Sequence, residues 1–434
     1  MFGSTNDNRP RRVGLVSVTV TLGLFLSGCG GGGAADNGDV ELNFTWWGAE
    51  ARAGVTEKVI DAFEEQNPGI TINSDWASWD GYWDRLATTT AGGDAPDVMQ
   101  MDESRIAAYG ERGALLDLST VESALDLSNM QSEVLLTGEV QESLVGVPVG
   151  VALFSVGVNP ELLERAGLEM PDDTTWTWDD FVEMSAEVSA QLGDEGITGM
   201  NFFGTQISEL GMFARQRGQE VFPRDGEEPV SRETLEEYFE FALELIETGA
   251  APGASMQTEN VTASLEQQPF GTNTTAFHLL FHTQIQAFVN ASGSDLKLLR
   301  LPTVTEGESP RMTNKASMYW SISSRSEHPE EAAKFVDFLV QNEDAAKILL
   351  VERGVPAIPA IQDAMRPQLD ETGLMSLDFA ADLQDEVIDP PQVTPANGSE
   401  FGSEISRIGS EVLFGRQTPA QGADSLLTVI ENLR

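Results

Sequence analysis

Cysteine and histidine are the residues that this chain has least of, and their scarcity excludes several kinds of protein. The 434 residues contain one cysteine and three histidines. A single cysteine cannot form an intramolecular disulfide, so the fold must be stabilised by packing. Three histidines leave little for metal chemistry, and the sequence has no calcium-binding loop of the EF-hand type. After residue 28 no apolar run approaches the roughly 20 residues that a helix needs to cross a bilayer.

The single cysteine, Cys29, ends a segment that has the features of a secretory signal. Three arginines between residues 9 and 12 precede the uncharged run 13–26, and Leu-Ser-Gly leads directly into Cys29. A basic region, a short apolar run and a small-residue site predict a signal peptide over residues 1–28. The Leu-Ser-Gly-Cys ending resembles the lipobox of bacterial lipoproteins. The resemblance implies acylation of Cys29, with palmitate or a similar chain, on the extracytoplasmic face of the cell membrane. The alternative is an ordinary secreted protein with a chance cysteine near its cleavage site.

Negative charge dominates the composition. The formal net charge is −45 at pH 7, which argues against nucleic acid or an anionic surface as a partner. A solvated acidic surface is the simplest interpretation. Adaptation to salt, which would screen the self-repulsion, is a second hypothesis.

Strand and helix patterns alternate along the first part of the predicted mature chain. Residues 29–39 are rich in glycine and predict a flexible tether. Residues 40–46 alternate as a half-buried strand does, and helical spacing over 80–91 precedes a short strand at 97–101. This alternation indicates an α/β domain with a largely parallel sheet. A more helical region follows to about residue 300, and the proline-containing segment 387–397 is interpreted as a linker.

Five short motifs follow one another in an order that resembles a known family. They are Phe63-Glu64-Glu65-Gln66-Asn67-Pro68-Gly69-Ile70, the Gly-Gly-Asp-Ala-Pro-Asp-Val turn of 92–98, and the segments 146–163, 320–335 and 415–419. From residue 40 onward the chain is similar to the family 1 extracellular solute-binding proteins, the class that includes maltose-binding protein.

That resemblance implies an α/β fold of two lobes, each a sheet flanked by helices, joined by several hinge crossings. Lobe one would comprise residues 40–150 and 320–385, and lobe two residues 153–318 and 390–434. Hinge motion would close the lobes over a solute. The resemblance also implies a monomer that passes its solute to the permease subunits of an ABC importer and touches the membrane through its lipid alone.

Several candidate ligand residues follow the first three predicted strands. In open α/β sheets, ligands bind beyond the carboxyl ends of the strands. Trp47 directly follows the first strand, which ends at Trp46. Glu50 lies in the loop beyond, where the resemblance places a sugar-binding acid. Amphipathic aromatic rings suit the C–H faces of a sugar, although core packing is the alternative for each ring. The remaining candidates of this group are the i, i+4 pair Trp79 and Trp83 and the adjacent carboxylates Asp102 and Glu103.

Three further candidates come from the second half of the predicted cleft. Trp320 lies at the second predicted crossing, where a ring facing the cleft would make a stacking platform. His282 lies near the family's third cleft loop, and Phe203 is a candidate from lobe two. Each of the three has a purely structural alternative.

A binding protein and a secreted enzyme are the two function classes left open. Paired carboxylates could act as the acid and base of a glycoside hydrolase. The sequence has no Gly-x-Ser-x-Gly, His-Glu-x-x-His or P-loop motif, so we predict no catalytic residue, no metal and no cofactor. The favoured function is capture of a mono- or oligosaccharide, with a polyol or a peptide as the alternative solute.

Overall fold

The structure is a computed structural model that describes residues 39–48 and 50–433. The predicted signal peptide, Cys29 and all but the last residue of the predicted tether lie outside the described residues. Within them, the fold combines eighteen strands with sixteen α-helices.

The strands range from two to eight residues in length. They are β1 (Val40–Trp47), β2 (Ile70–Ala77), β3 (Val98–Met101), β4 (Glu139–Val140), β5 (Ser143–Leu144), β6 (Val147–Pro148), β7 (Gly150–Ala152), β8 (Phe154–Val158), β9 (Thr198–Met200), β10 (Gln219–Glu220), β11 (Glu228–Pro229), β12 (Thr275–Phe281), β13 (Lys297–Leu299), β14 (Met312–Thr313), β15 (Lys315–Ala316), β16 (Tyr319–Ile322), β17 (Val355–Pro356) and β18 (Val387–Ile388).

The helices surround these strands. They are α1 (Glu50–Gln66), α2 (Trp79–Gly92), α3 (Glu103–Gly110), α4 (Ser132–Leu135), α5 (Pro160–Ala166), α6 (Trp178–Leu192), α7 (Ile207–Arg215), α8 (Arg232–Glu247), α9 (Ala254–Thr262), α10 (Ile285–Ser292), α11 (Pro329–Gln341), α12 (Glu343–Leu349), α13 (Pro359–Met365), α14 (Glu371–Asp382), α15 (Phe401–Leu413) and α16 (Pro419–Leu433).

The first sheet has the strand order β2-β1-β3-β16-β6. β2, β1 and β3 run parallel, as the alternation of strands and helices predicts. β16 runs antiparallel to β3 and to β6, so the sheet is mixed. A crossover helix dictates a parallel direction only between strands that follow one another in the chain, and β16 is distant in sequence from both β3 and β6.

The second sheet has the order β13-β8-β12-β9 and is mainly antiparallel. Two smaller pairings link segments that are distant in sequence. β7 lies between β15 and β17, and β14 pairs with β18. The segment predicted to be a linker therefore begins with a paired strand.

Each principal sheet packs against its own hydrophobic core. The first core includes Leu42 and Phe44 of β1, with Phe63 of α1 and Phe335 of α11, whose rings lie 4.9 Å apart. Alternation along β1 buries these residues on one face, as the sequence pattern predicts. The second core joins strands β8 and β12 to helices α6, α8, α15 and α16.

Helix α16 packs against α8 and completes the second core. Leu426 and Ile430 of α16 are fully buried in that core, as are Leu235 and Phe239 of α8. Helix α15 ends at Leu413 and α16 begins at Pro419, so the motif at 415–419 lies at the break between them.

The α/β class is confirmed by these sheets and helices, whereas the lobe boundaries given above stay a prediction. Ala380 and Leu383, from α14 and the turn after it, lie in the second core, although the predicted boundary assigns them to lobe one. Across residues 39–48 and 50–433, no helix combines the length and the apolar character that spanning a bilayer requires.

Candidate functional site

A cavity of about 300 Å³ lies between the second core and a group of aromatic residues at one edge of the first sheet, which includes Tyr82, Trp83 and Tyr319. Met212, Leu301 and Met312 of the second core form one side of its wall. Ala316 and Tyr319 contribute to the other side. Small-molecule sites occupy roughly 300–1,000 Å³ and are mostly apolar with a few polar groups, and this cavity matches the lower end of that range.

Two extended segments, residues 312–316 and 390–394, run along the cavity wall. Both belong to stretches where the chain passes between the two sheets. Arg224 holds the second segment, because its Nε donates to the Pro390 carbonyl oxygen at 2.8 Å while its Nη2 donates to the Leu136 carbonyl oxygen at 2.7 Å. The segment interpreted as a linker thus forms part of the candidate site.

The carboxyl ends of β1, β2 and β3 bring several of the predicted residues to one edge of the first sheet. Trp47 is the last residue of β1, and Asp102 and Glu103 follow β3 directly. Trp79 begins α2 just after β2. Because the three strands are parallel neighbours, these residues lie along a common edge.

Five aromatic side chains pack together at this edge, and we call them the Trp47 cluster: Trp47, Trp79, Tyr82, Trp83 and Tyr109. The ring centroid of Trp47 lies 5.0 Å from that of Trp79, 5.4 Å from Tyr82 and 5.6 Å from Trp83, and Tyr109 contacts Trp83. Trp79 and Trp83 meet at 5.4 Å, as their i, i+4 spacing predicts. Trp83 is 7% exposed whereas Trp79 is 40% exposed, so Trp79 has the more accessible ring of the two.

The two adjacent carboxylates have separate structural partners. Asp102 caps α3, accepting hydrogen bonds from the backbone N–H of Ser104 at 3.0 Å and from its hydroxyl at 2.6 Å. Glu103 accepts a hydrogen bond from the backbone N–H of Thr394 at 2.6 Å and lines the cavity. Glu103 therefore connects the carboxyl edge of the first sheet to the second of the two wall segments.

Glu50 is an exposed residue at the start of α1. It lies three residues after Trp47 in the sequence and so belongs to the same edge as the Trp47 cluster. A carboxylate in the first turn of a helix is stabilised by the helix dipole, which is a structural explanation independent of any solute.

Trp320, Phe203 and His282 are all buried away from the cavity wall. Trp320 is 1% exposed and packs in the first core, 5.2 Å from the ring of Phe44, so it does not present the predicted platform to the cleft. Phe203 is fully buried in the second core. His282 accepts a hydrogen bond at Nδ1 from the Leu153 backbone N–H, and burial lowers its pKa to about 4, so it is a neutral structural residue.

Polar residues that the motifs did not indicate line the cavity instead. Asn314 is 4% exposed, and its side-chain Nδ2 has no hydrogen-bond partner. Lys315 is exposed, and its Nζ lies 5.1 Å from the ring centroid of Phe281, which also lines the cavity. No periodicity in the sequence shows that the Asn314 donor is left free.

The loop of residues 204–206, on the cavity side formed by the second core, is held by the buried carboxylate of Glu209. Its Oε2 accepts hydrogen bonds from the backbone N–H groups of Gly204 at 2.9 Å and of Thr205 and Gln206 at 3.1 Å, and from the Tyr238 hydroxyl at 3.3 Å. Burial raises the pKa of Glu209 to about 7, against the effect of these hydrogen bonds. Gln206 lines the cavity, so Glu209 positions one part of the wall.

An ion pair between Arg215 and Glu220 lies on the same side of the cavity wall. Arg215 donates to both carboxylate oxygens of Glu220, at 2.7 and 3.3 Å. Burial raises the pKa of Glu220, and the neighbouring Arg215 opposes that shift. The pair is internally compensated, so it gives the wall polarity without a net charge. Among the described residues, no group of three or more His, Cys, Asp or Glu side chains is arranged to hold a metal ion.

Comparison with known proteins gives one family and several relatives. Residues 47–346 match the family model of the bacterial extracellular solute-binding proteins. An uncharacterized lipoprotein of Streptomyces antibioticus is 24% identical over 363 residues, which cover 80% of this chain and 76% of that protein. An Escherichia coli protein with the provisional name ABC transporter periplasmic-binding protein is 23% identical over 358 residues, covering 80% and 78%.

A solved structure supports the same fold. A periplasmic oligogalacturonide binding protein from Yersinia enterocolitica superposes with a TM-score of 0.74 at 21% identity, covering 91% of this chain and 99% of that one. The two sheets, the segments that pass between them and the cavity define a two-lobed periplasmic-binding-protein-like fold. Because the family model covers more than half of its length, the chain belongs to the bacterial extracellular solute-binding proteins.

Proposed function

We propose that this protein captures a mono- or oligosaccharide outside the cytoplasm and delivers it to the permease subunits of an ABC importer. The observation that carries the proposal is the cavity itself. Its wall combines residues of the second core with Ala316 and Tyr319, which pack in the aromatic group at the edge of the first sheet, and with the segments that pass between the sheets. A solute there would contact both sides at once, so its binding energy would favour hinge closure.

Aromatic rings supply the apolar half of sugar recognition. Phe154, Phe281 and Tyr319 line the cavity, and Trp79 is accessible at the edge of the Trp47 cluster. Tyr319 packs in the same group as Tyr82 and Trp83, so the cavity and the aromatic edge adjoin. Pyranose C–H groups stack on such rings, and we propose that the two regions form one extended site.

Polar groups at the wall supply the other half. The free Nδ2 donor of Asn314 is buried at the cavity wall, and a solute hydroxyl is the kind of acceptor that it lacks. The Glu103 carboxylate has lone pairs beyond the one used by Thr394 and can accept a hydrogen bond from a solute hydroxyl group. Donors and acceptors beside rings are the combination that a polyhydroxylated solute requires.

The relatives support the finer parts of the proposal. The Yersinia protein is named for oligogalacturonide binding, and the Escherichia coli relative for an ABC transporter. Asp102 and Glu103 each have a structural partner, which favours a binding role over the acid–base pair of a hydrolase.

A solute screen tests the proposed function. We expect one member of a panel of glucose, galactose, maltose, cellobiose and digalacturonate to raise the melting temperature and to change tryptophan fluorescence. Sorbitol and a tripeptide test the alternative solutes. Stabilisation by none of the sugars, or release of shorter sugars from a bound oligosaccharide, would contradict the proposal.

Trp79 and Trp76 offer a matched pair for testing the aromatic edge. They are 40% and 38% exposed, but only Trp79 belongs to the Trp47 cluster. Trp79→Ala should weaken binding of the sugar found in the screen by about 5- to 100-fold, in the range of an aromatic anchor. Trp76→Ala should leave affinity unchanged in the same calorimetric titration. Equal effects of the two substitutions would remove Trp79 from the site.

We also propose that lipid on Cys29 retains the protein at the membrane beside its importer. The lipoprotein name of the Streptomyces relative supports this. Two acyl chains hold a protein stably where one holds it only marginally. Cys29→Ser should move the protein from the membrane fraction to the soluble fraction without changing its sugar affinity. Continued sedimentation of the variant with membranes would argue against the anchor.

A further inference from the structure

The side chains of Trp46, Gln100 and Trp320 form a buried row across the first sheet, and each of them carries an N–H donor. β1 pairs with β3 at Phe44 and Val98, so Trp46 and Gln100, each two residues further along, lie side by side. Gln100 pairs in turn with Trp320 on β16. Residues paired in this way point to the same face of a sheet. All three are at most 1% exposed, and both tryptophan rings contact Phe44.

Arg353 lies against this row from the loop after α12. Its Nε donates to Gln100 Oε1 at 3.3 Å, and its Cζ lies 5.2 Å from the centroid of the Trp320 ring. Its Nη2 donates to the hydroxyl of Thr56 on α1 at 2.7 Å. Arg353 is 3% exposed, so a guanidinium is enclosed between the sheet and the helices that cover it.

Four N–H groups in this assembly have no acceptor. They belong to Trp46 Nε1, Gln100 Nε2, Trp320 Nε1 and Arg353 Nη1. The oxygen of the Gln100 amide accepts from Arg353, and its nitrogen is one of the four unpaired donors. Buried donors are nearly always paired in folded proteins, so four unpaired donors around one cation indicate a missing acceptor.

The charge of Arg353 also lacks a compensating partner. Both of its hydrogen-bond acceptors are neutral, and no ion pair between Arg353 and a carboxylate occurs in the described part of the chain. The neighbouring Glu352 instead pairs with Arg52 at 3.0 Å. Burial lowers the pKa of Arg353 to about 9, which leaves the group a cation at neutral pH. A buried charge without a partner is strongly destabilising.

We propose that Trp46, Gln100, Trp320 and Arg353 form a binding site for a small monovalent anion, with chloride as the ligand. An anion accepts from every free donor and neutralises the guanidinium. A water molecule fits this chemistry less well, because it is neutral and would leave the charge of the guanidinium without a partner. The complete burial of the row favours a monatomic ion over a carboxylate or a phosphate.

The site would stabilise the part of the sheet that presents the carboxyl edge. Trp46 immediately precedes Trp47, and Gln100 lies two residues before Asp102. An ion bound between β1, β3 and β16 would hold the three strands together at the end where the candidate solute site begins. This inference does not depend on what the solute is.

The test replaces gluconate by chloride at a constant ionic strength of about 0.5 M, so that general screening stays fixed. The melting temperature of the full chain, in a non-ionic detergent, should rise by about 1–2 °C and saturate with chloride, as binding to the native state requires. Arg353→Gln should abolish the rise. Arg366→Gln, which alters an exposed arginine paired with Asp378, should preserve it.

Crystals of the unaltered chain grown with bromide provide a readout that does not depend on folding of the variant. An anomalous peak bounded by the two indole N–H groups, the Gln100 amide and the Arg353 guanidinium is expected. Overlapping melting curves in chloride and gluconate, an absent or misplaced peak, or a water molecule at that position would each overturn the proposal.

Discussion

Glu209→Ala should lower the free energy of unfolding by about 3 kcal/mol at pH 4.5, where the carboxyl group is neutral in the folded protein. The substitution leaves three buried backbone N–H groups and the Tyr238 hydroxyl without their common acceptor. Each unsatisfied buried group costs about 1–3 kcal/mol, and partial relaxation of the loop reduces the sum. Urea unfolding of the variant beside the unaltered protein measures the difference.

The same carboxyl group should make stability depend on pH. Its pKa is about 7 in the folded protein and near 4.3 in the unfolded chain, so between these values the native state binds more protons. The stability that Glu209 contributes is therefore complete below about pH 4.3 and is lost as pH rises through about 7, by about 4 kcal/mol in all.

Glu209→Gln is the control, because glutamine keeps an acceptor oxygen but does not titrate. The unfolding free energy of the unaltered protein minus that of this variant should fall from pH 4.5 to pH 7 and then level off. A difference that stays constant over this interval would show that Glu209 is ionised throughout and that its hydrogen bonds outweigh burial.

Gly409→Ala should destabilise the protein by about 2 kcal/mol. Gly409 lies on α15, where an added methyl group would overlap the Gly204 carbonyl oxygen and lie 3.3 Å from the Cα of Thr205. The added methyl group would meet backbone that Glu209 already holds in place, so helix α15 would have to shift. A shift of this kind carries the usual cost of overpacking a core. Because the displaced loop carries Gln206 to the cavity wall, sugar affinity should fall as well.

Gly402 on the same helix provides a control of opposite sign. A methyl group there meets nothing within 4 Å, so Gly402→Ala should stabilise by about 0.5–1 kcal/mol through helix propensity alone. Thermal and urea unfolding of both variants separates helix propensity from the close approach. Equal shifts in the two variants would contradict the contact between α15 and the loop.

Elements with strong local periodicity were predictable from the sequence. The predicted helix over 80–91 is α2, and the predicted strand at 97–101 is β3 with one residue fewer. The antiparallel placement of β16 was not predictable, because alternation shows which residues are buried and not which neighbour a strand pairs with.

The candidate site was predictable only where strand ends determine it. Trp47, Trp79 and Glu103 follow from the rule that parallel strands present their carboxyl ends together. Trp320 shows the limit of that reasoning: its place near a crossing suggested an accessible ring, but the pleat turns it into the core. Asn314 was missed because an unpaired donor is a property of packing, which one sequence does not display.

The packing of α16 on α8 has a consequence for synthesis. While the ribosome makes the chain, α8 is complete long before α16 exists, so Phe239 and Leu235 keep their apolar surfaces in water during that interval. The second core cannot close before α16 is made, so the nascent chain remains open to chaperones until then. Truncation before Pro419 should therefore give a product that aggregates rather than a smaller folded protein.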